Sequence, residues 1–225
     1  MTNNNNRIGL VAGRGLLPFE VLKMIRQNGM AAVVVGLKGE VDPGVAGQAN
    51  HYMELAPGQL ETIIHFLQSH AVTEVVFAGK VGKEAVFKGG WDHAVQRLLS
   101  ALPQKNDDAI LLAIVEEFER NGLHVAKQTD YLRELLAPAG MLVGGELTPG
   151  ELADLRLGFR MAKASGGLDI GQSVVVKQGV VLAVEAIEGT DRAILRGGVL
   201  GGPRSVVVKV SKPQQDERFD VPTVG

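Results

Sequence analysis

Arg7-Ile8-Gly9-Leu10-Val11-Ala12-Gly13-Arg14-Gly15-Leu16-Leu17-Pro18-Phe19-Glu20-Val21-Leu22 decides the fold. Residues 7–12 form a short run rich in Ile, Leu and Val, the pattern of a strand buried on both faces. A glycine-rich turn follows over residues 13–18. Phe19, Val21, Leu22 and Ile25 then recur at helical spacing, and Asn28-Gly29 predicts the stop. Strand, glycine turn and helix in that order are the opening unit of a parallel sheet covered by helices.

The same alternation continues outward. Ala31–Leu37 predicts a second buried strand and His51–Met53 a short third one. Leu60, Ile63, Ile64 and Leu67 mark one face of a helix within Gly58–His70. Val72–Ala78 predicts another strand, and Trp91–Leu102 a helix stopped by Pro103. Asp107–Asn121 is the clearest helix, with Ile110, Leu111, Ile114, Val115 and Phe118 on one face and Gly122 beyond it. Leu123–Ala126 predicts a further strand. Residues 137–147, rich in Pro and Gly, predict a linker between an N-terminal domain (1–136) and a C-terminal domain (148–225).

Thr148-Pro149-Gly150-Glu151 opens the second part with a helix-start signal: Thr148 caps, Pro149 takes the first helical position, and Glu151 reaches back to the cap. That helix is expected to end near Ala164, with Gly166-Gly167 beyond it. Ser173–Val176 and Val180–Val184 predict a hairpin through Lys177-Gln178-Gly179. Asp191–Leu195 predicts a short helix, and Ser205–Val210 a strand. The fold class is therefore α/β, with a Rossmann-like N-terminal parallel-sheet domain and a second α/β domain.

Composition narrows the function. Glycine fills 29 of 225 positions, without the three-residue period of collagen. With 45% hydrophobic and 21% charged residues, the chain is able to bury a core. A net charge of −2 supplies no field for broad nucleic-acid binding, so no nucleic-acid partner is expected. Seven Phe, two Tyr and one Trp leave little for base-stacking platforms. The absence of Cys excludes disulfides, thiolate nucleophiles and Cys-based zinc sites. Apolar runs such as Val180–Val184 are far shorter than the ~20 residues of a membrane helix. The polar start of the chain lacks the pattern of a secretory signal, so a soluble cytoplasmic protein is expected.

Five segments could carry chemistry. Gly13 to Pro18 could cradle a phosphate against a helix N-terminus, or simply turn the chain. It is G-x-G-x-x-P rather than the dinucleotide G-x-G-x-x-G, and Gly36-Leu37-Lys38 lacks the ribose-binding acid, which argues against a nicotinamide enzyme. Gly79 and Lys80 end a parallel strand, where ligands of such sheets bind; Lys80 or Lys83 could meet an anion or simply be solvated. Asn106-Asp107-Asp108 reads equally well as a helix cap. If the hairpin forms, Leu168–Gln172 and Glu185–Asp191 lie at one end of it. They gather Asp169, Glu185, Glu188 and Asp191 with Gln172 and Thr190, and acids beside a phosphate suit Mg²⁺. The last segment carries Lys209, Lys212 and Arg218 for a pyrophosphate, and Asp216 or Asp220 for a metal or water. None of the five histidines stands at metal-ligand spacing, and no Ser stands in G-x-S-x-G.

In this order the segments resemble the LpxI family of UDP-2,3-diacylglucosamine pyrophosphatases. The resemblance rests on Gly13–Pro18, Phe77-Ala78-Gly79, Asp107–Leu111, Leu168–Gln172, Leu182–Asp191, Lys209–Lys212 and Arg218–Gly225. It implies Mg²⁺-dependent hydrolysis of the substrate's pyrophosphate to UMP and 2,3-diacylglucosamine 1-phosphate (lipid X) in lipid A synthesis. It implies two α/β domains with the lipid-linked sugar nucleotide held between them. The essential aspartate falls on Asp220, the expected catalytic residue and metal ligand; Asp191 and Glu188 of the hairpin-end cluster are the further expected metal ligands. Gly13, Gly15, Leu16, Gly79, Lys80, Gln172, Thr190, Lys209, Lys212 and Arg218 are the expected substrate contacts. Contact with the inner membrane and homo-oligomers are compatible with this reading. Family members run on past the Asp-x-Pro motif, so the second domain is expected to be incomplete. The alternative is a non-catalytic nucleotide or sugar-nucleotide binder.

Overall fold

The computed structural model of the chain describes residues 6–82, 90–103, 107–213, 216, 218 and 221. The chain divides into two compact units, one of residues 1–136 with 217–219 and one of residues 137–216 with 220–225.

The first unit is a five-stranded parallel sheet. It contains β1 (Arg7–Ala12), α1 (Leu17–Gln27), β2 (Ala31–Leu37), β3 (His51–Leu55), α2 (Leu60–Ser69) and β4 (Glu74–Ala78). It continues through α3 (His93–Ala101), α4 (Asp107–Arg120), β5 (His124–Val125) and a short α5 (Gln128–Tyr131). Strand order is β3-β2-β1-β4-β5, with every ladder parallel. The order reverses direction between β1 and β4, as in doubly wound folds. Successive residues of each strand face opposite ways and so feed two cores. Val11, Val33, Val35 and Val75 meet α2, α3 and α4 on one face. Leu10, Val34 and Val76 meet Val21, Leu22 and Ile25 of α1 on the other. Both faces are dry, which is why these strands read as continuous apolar runs. The unit is Rossmann-like.

The second unit contains α6 (Pro149–Gly167), β6 (Ser173–Lys177), β7 (Val180–Val184), α7 (Thr190–Gly201) and β8 (Val206–Lys209). Its sheet runs β7-β6-β8 and is antiparallel throughout. Val174, Val176 and Val208 join Ala162 of α6 in one core. Val175 points the other way, against Gly197 of α7. The hairpin turns on Gln178 and Gly179, both at positive φ, and the buried Asp154 carboxylate accepts both of their amides at 2.7 Å.

Several boundaries differ from the sequence expectation, among them β3, which reaches Leu55, and β4, which starts at Glu74. Helix α6 runs through Gly166-Gly167 instead of ending near Ala164, and α7 reaches Gly201 instead of Leu195. Two glycines inside these helices are held by packing. Gly158 lies where a Cβ would come within 2.6 Å of Val208, and Gly197 within 2.5 Å of Val175. Close helix-to-sheet contact outweighs their weak propensity. Strand β5 is two residues rather than four.

The capping box of α6 forms as the sequence requires. Glu151 accepts from the Thr148 amide and hydroxyl, and Thr148 Oγ1 accepts from the Glu151 amide. Those bonds, led by the Thr148 hydroxyl and joined by Arg204, lower the Glu151 carboxyl to about 2. A depressed folded-state pKa gives stability that is present above the unfolded value and lost as pH falls through the folded one. Wild type is therefore expected to melt above Glu151→Gln at neutral pH. That gap should close between about pH 4.5 and about pH 2, as paired thermal melts across this range would record.

Candidate functional site

In the first unit, the C-terminal ends of β1 and β4 flank the point where strand order reverses, the usual ligand crevice of an open α/β sheet. Two glycine turns meet there. The Gly13 amide donates to Ala78 O at 2.8 Å, and Arg14 and Lys80 exchange backbone bonds at 2.9 Å each. A Cβ on Gly13 would lie 2.5 Å from Lys80 O, so this glycine permits backbone-to-backbone approach. Gly79 sits at φ +94 against Gly13.

Gly15, at φ +99, donates its amide to Asp42 Oδ2 at 2.8 Å. Arg14 pairs with Glu40 at 2.9 Å, and Gly82 N–H donates to the same carboxylate at 3.0 Å. Leu16 is 79% exposed at the start of α1, and Lys80 is exposed. Glu40 and Asp42 were not singled out in the sequence. The available signal was their place, just past β2 and so at the same end of the sheet as the glycine turn. They bring two carboxylates into the crevice, where they engage Arg14 and Gly15, donors that a phosphate would use. They also offer acceptors to hydroxyl or N–H groups.

The second unit places its polar residues at one end of the sheet. Ser173 stands opposite Lys209 across β6–β8. The Glu185 amide donates to Ser173 O at 2.8 Å, extending the β6–β7 pairing by one residue. Lys209, Ser173 and Glu185 thus form a cross-strand row on the α7 side of the sheet. Thr190, the first residue of α7, closes the row: its hydroxyl donates to Glu185 Oε1 at 2.7 Å and accepts from Lys209 Nζ at 3.4 Å. Glu185 Oε2 accepts the Gln172 amide at 3.3 Å. Gly189 precedes α7 at φ +83 without a side-chain cap, so the first amides of the helix face outward at its positive end.

The hairpin does bring Asp169, Glu185, Glu188 and Asp191 to one end, but three of them have internal partners. Asp169 pairs with Lys212 at 2.6 Å. Glu188 pairs with Arg196 at 2.6 Å, and its own backbone N–H together with that guanidinium holds its carboxyl below the usual range. Glu185 is engaged as described. Asp191 is exposed and has no ion pair among the described residues. Among those residues no three acids or histidines converge on a metal position. Mg²⁺ takes one or two carboxylates and fills its other positions with water and phosphate oxygens, and among the described residues Asp191 is the exposed acid at this end that no ion pair occupies.

Gln172 Oε1, Ser173 Oγ and Ser165 Oγ are buried without a hydrogen-bond partner among the described residues. Arg218 is half-buried. Lys83, Asn106 and Asp220 lie outside the described residues. No helix among the described residues is long and apolar enough to cross a membrane.

A doubly wound parallel unit with a glycine-lined strand-end crevice, followed by a small antiparallel unit whose Lys209 meets the first residue of α7, defines an α/β protein of two units. The chain belongs to the LpxI family: the LpxI N-terminal domain matches residues 7–135 and the LpxI C-terminal domain residues 138–225. It is 32% identical over 230 residues to the UDP-2,3-diacylglucosamine pyrophosphatase LpxI of Caulobacter vibrioides, covering 97% of this chain and 81% of that one. Among solved structures, a UDP-glucose-4-epimerase of Stenotrophomonas maltophila aligns at TM-score 0.36 and 14% identity, over 52% of this chain and 34% of that one. The biotin carboxylase domain of a single-chain bacterial carboxylase aligns at TM-score 0.34 and 16% identity, over 72% and 35%. The chain thus spans about a third of each of those two structures.

Proposed function

We propose that the chain hydrolyses the pyrophosphate of UDP-2,3-diacylglucosamine, releasing UMP and 2,3-diacylglucosamine 1-phosphate in lipid A synthesis. The match to the Caulobacter vibrioides relative, spanning both units, carries this reading. In the reaction a water oxygen bonds to one phosphorus as the bridging P–O bond breaks. A pyrophosphate diester is anionic at neutral pH and repels an incoming water, so catalysis rests on neutralising charge where it grows. Lys209 and Lys212, at one end of the β6–β8 sheet, hold phosphate oxygens, with Arg218 as a third cation. Gln172 meets a neighbouring oxygen, Thr190 acts on the phosphate through Lys209, its own proton being given to Glu185, and the amides at the start of α7 face the same negative charge. In the first unit, Gly13, Gly15, Leu16, Gly79 and Lys80 are the candidate ligand contacts.

Asp220, Asp191 and Glu188 are the residues that would hold Mg²⁺, which would supply Lewis-acid polarisation of a phosphate oxygen. Asp220 holds that ion or orients the water. Action on a lipid-linked substrate suits a cytoplasmic protein that touches the inner membrane from one side.

The test is UMP release from UDP-2,3-diacylglucosamine in detergent, separated chromatographically. Release should fall to background in EDTA and return when Mg²⁺ exceeds the chelator. Release that persists in EDTA removes the metal from the mechanism. Saturable substrate binding without UMP release supports a sugar-nucleotide binder instead.

A further inference from the structure

We propose that Glu185 is a positioning residue that fixes Lys209 toward substrate phosphate through the hydroxyl of Thr190; this rests on the hydrolase reading above. The direction of the chain of bonds follows from its ends. An ammonium has protons and no lone pair to offer, and a carboxylate accepts only. The hydroxyl between them has one proton. Thr190 donates it to Glu185 Oε1 at 2.7 Å, so its oxygen faces Lys209 Nζ as an acceptor at 3.4 Å. No other assignment satisfies both contacts.

The surroundings hold Glu185 for this task. Its backbone is tied to Ser173 O at 2.8 Å, and its second carboxylate oxygen takes the Gln172 amide at 3.3 Å. A Cβ on Gly171 would overlap the Glu185 carbonyl oxygen, so only glycine lets the entry to β6 close on this residue. Ser173, 1% exposed, stands between Lys209 and Glu185 in the cross-strand row. Its short side chain leaves room for Lys209 to reach Thr190. Glu185 was one of four acids with a metal-binding look in the sequence. Both of its oxygens are instead committed to residues that border the phosphate position.

Glu185→Gln keeps the volume and an acceptor for the Gln172 amide but removes the charge. A charge-assisted bond is about twice as strong as a neutral one, so kcat should fall about tenfold. KM should move less than about threefold, since the interaction acts on the transition state. Thr190→Val should show the same split, and Thr190→Ser should recover most of the loss. The double variant Glu185→Gln/Thr190→Val should be no slower than either single one, because both break the same chain. A role limited to holding the fold would lower the melting temperature and leave this coupling absent.

A second readout needs no turnover. In protein labelled with ¹³C at lysine Cε, the Lys209 order parameter should drop in both single variants. Unchanged kcat in folded Glu185→Gln, losses that multiply in the double variant, or an unaltered Lys209 order parameter each overturn the proposal. Failure of the wild type to release UMP would sink the hydrolase reading instead, and the order parameter would still decide whether Glu185 positions Lys209.

Discussion

Asp220→Ala is expected to lower UMP release by at least about 100-fold while leaving the fold intact, the scale on which single groups that stabilise transition-state charge are lost. Two features favour a loss of rate over a loss of structure. Among the described residues the last strand of the second unit's sheet is β8, which ends at Lys209, upstream of Asp220 in the sequence. Its cores are made of Val174, Val176, Val208 and Ala162 on one side and Val175 against α7 on the other, none of which depends on a carboxylate. Far-UV circular dichroism and the melting midpoint should therefore match wild type. Asp220→Asn then separates the two roles a carboxylate could play. If Asp220 holds the metal, raising Mg²⁺ restores part of the rate, because weakened binding is offset by mass action. If it orients water, added Mg²⁺ does nothing. Wild-type hydrolysis by Asp220→Ala removes Asp220 from the mechanism.

The sequence carried local structure well and long-range partners poorly, for physical reasons visible at particular residues. Helix α4 and the capping box at Thr148 rest on contacts within a few turns, so spacing alone locates them. The extent of α7 does not. The sequence predicts a helix only over Asp191–Leu195, yet the helix continues to Gly201 with Gly197 packed on Val175, a neighbour that only the folded sheet supplies. The same holds at the candidate site. The hairpin logic correctly placed Leu168–Gln172 beside Glu185–Asp191, since an antiparallel pair fixes which ends meet. It could not tell which acids were already occupied. Asp169 meets Lys212 and Glu188 meets Arg196 through side-chain directions that have no signature in spacing. Gly13 is the clearest case. Its glycine was read as room for a phosphate or a tight turn, and the structure gives it a measured neighbour, the backbone of Lys80. Glu40 and Asp42 went unnoticed because no motif links a loop after β2 to a turn after β1; only parallel pairing of those strands does.

Gly79→Ala is the second substitution expected to have a large effect, this time on stability. A Cβ there would lie 2.6 Å from the Gly13 carbonyl carbon, 2.8 Å from its oxygen and 2.9 Å from Arg14 O. All three are backbone atoms of the neighbouring turn, so no side-chain rotation relieves the overlap. Relief requires the turns to part, which breaks the Gly13-to-Ala78 bond and the Arg14–Lys80 bridge. The positive φ adds about 1–3 kcal/mol of backbone strain. Overpacking adds about 1–3 kcal/mol more. A combined loss of about 2–6 kcal/mol is a large share of the ~5–15 kcal/mol that holds a typical domain together. Gly15→Ala provides the control, because Gly15 shares the positive φ but has nothing within 4 Å of a new Cβ. It should therefore cost the strain alone. Trp91, the single tryptophan, lies in the first unit and reports its unfolding by fluorescence in a urea titration. Gly79→Ala should shift the midpoint well below Gly15→Ala. Equal midpoints would mean that conformation and not contact demands glycine at the end of β4, and the two turns would then be free to separate around a ligand.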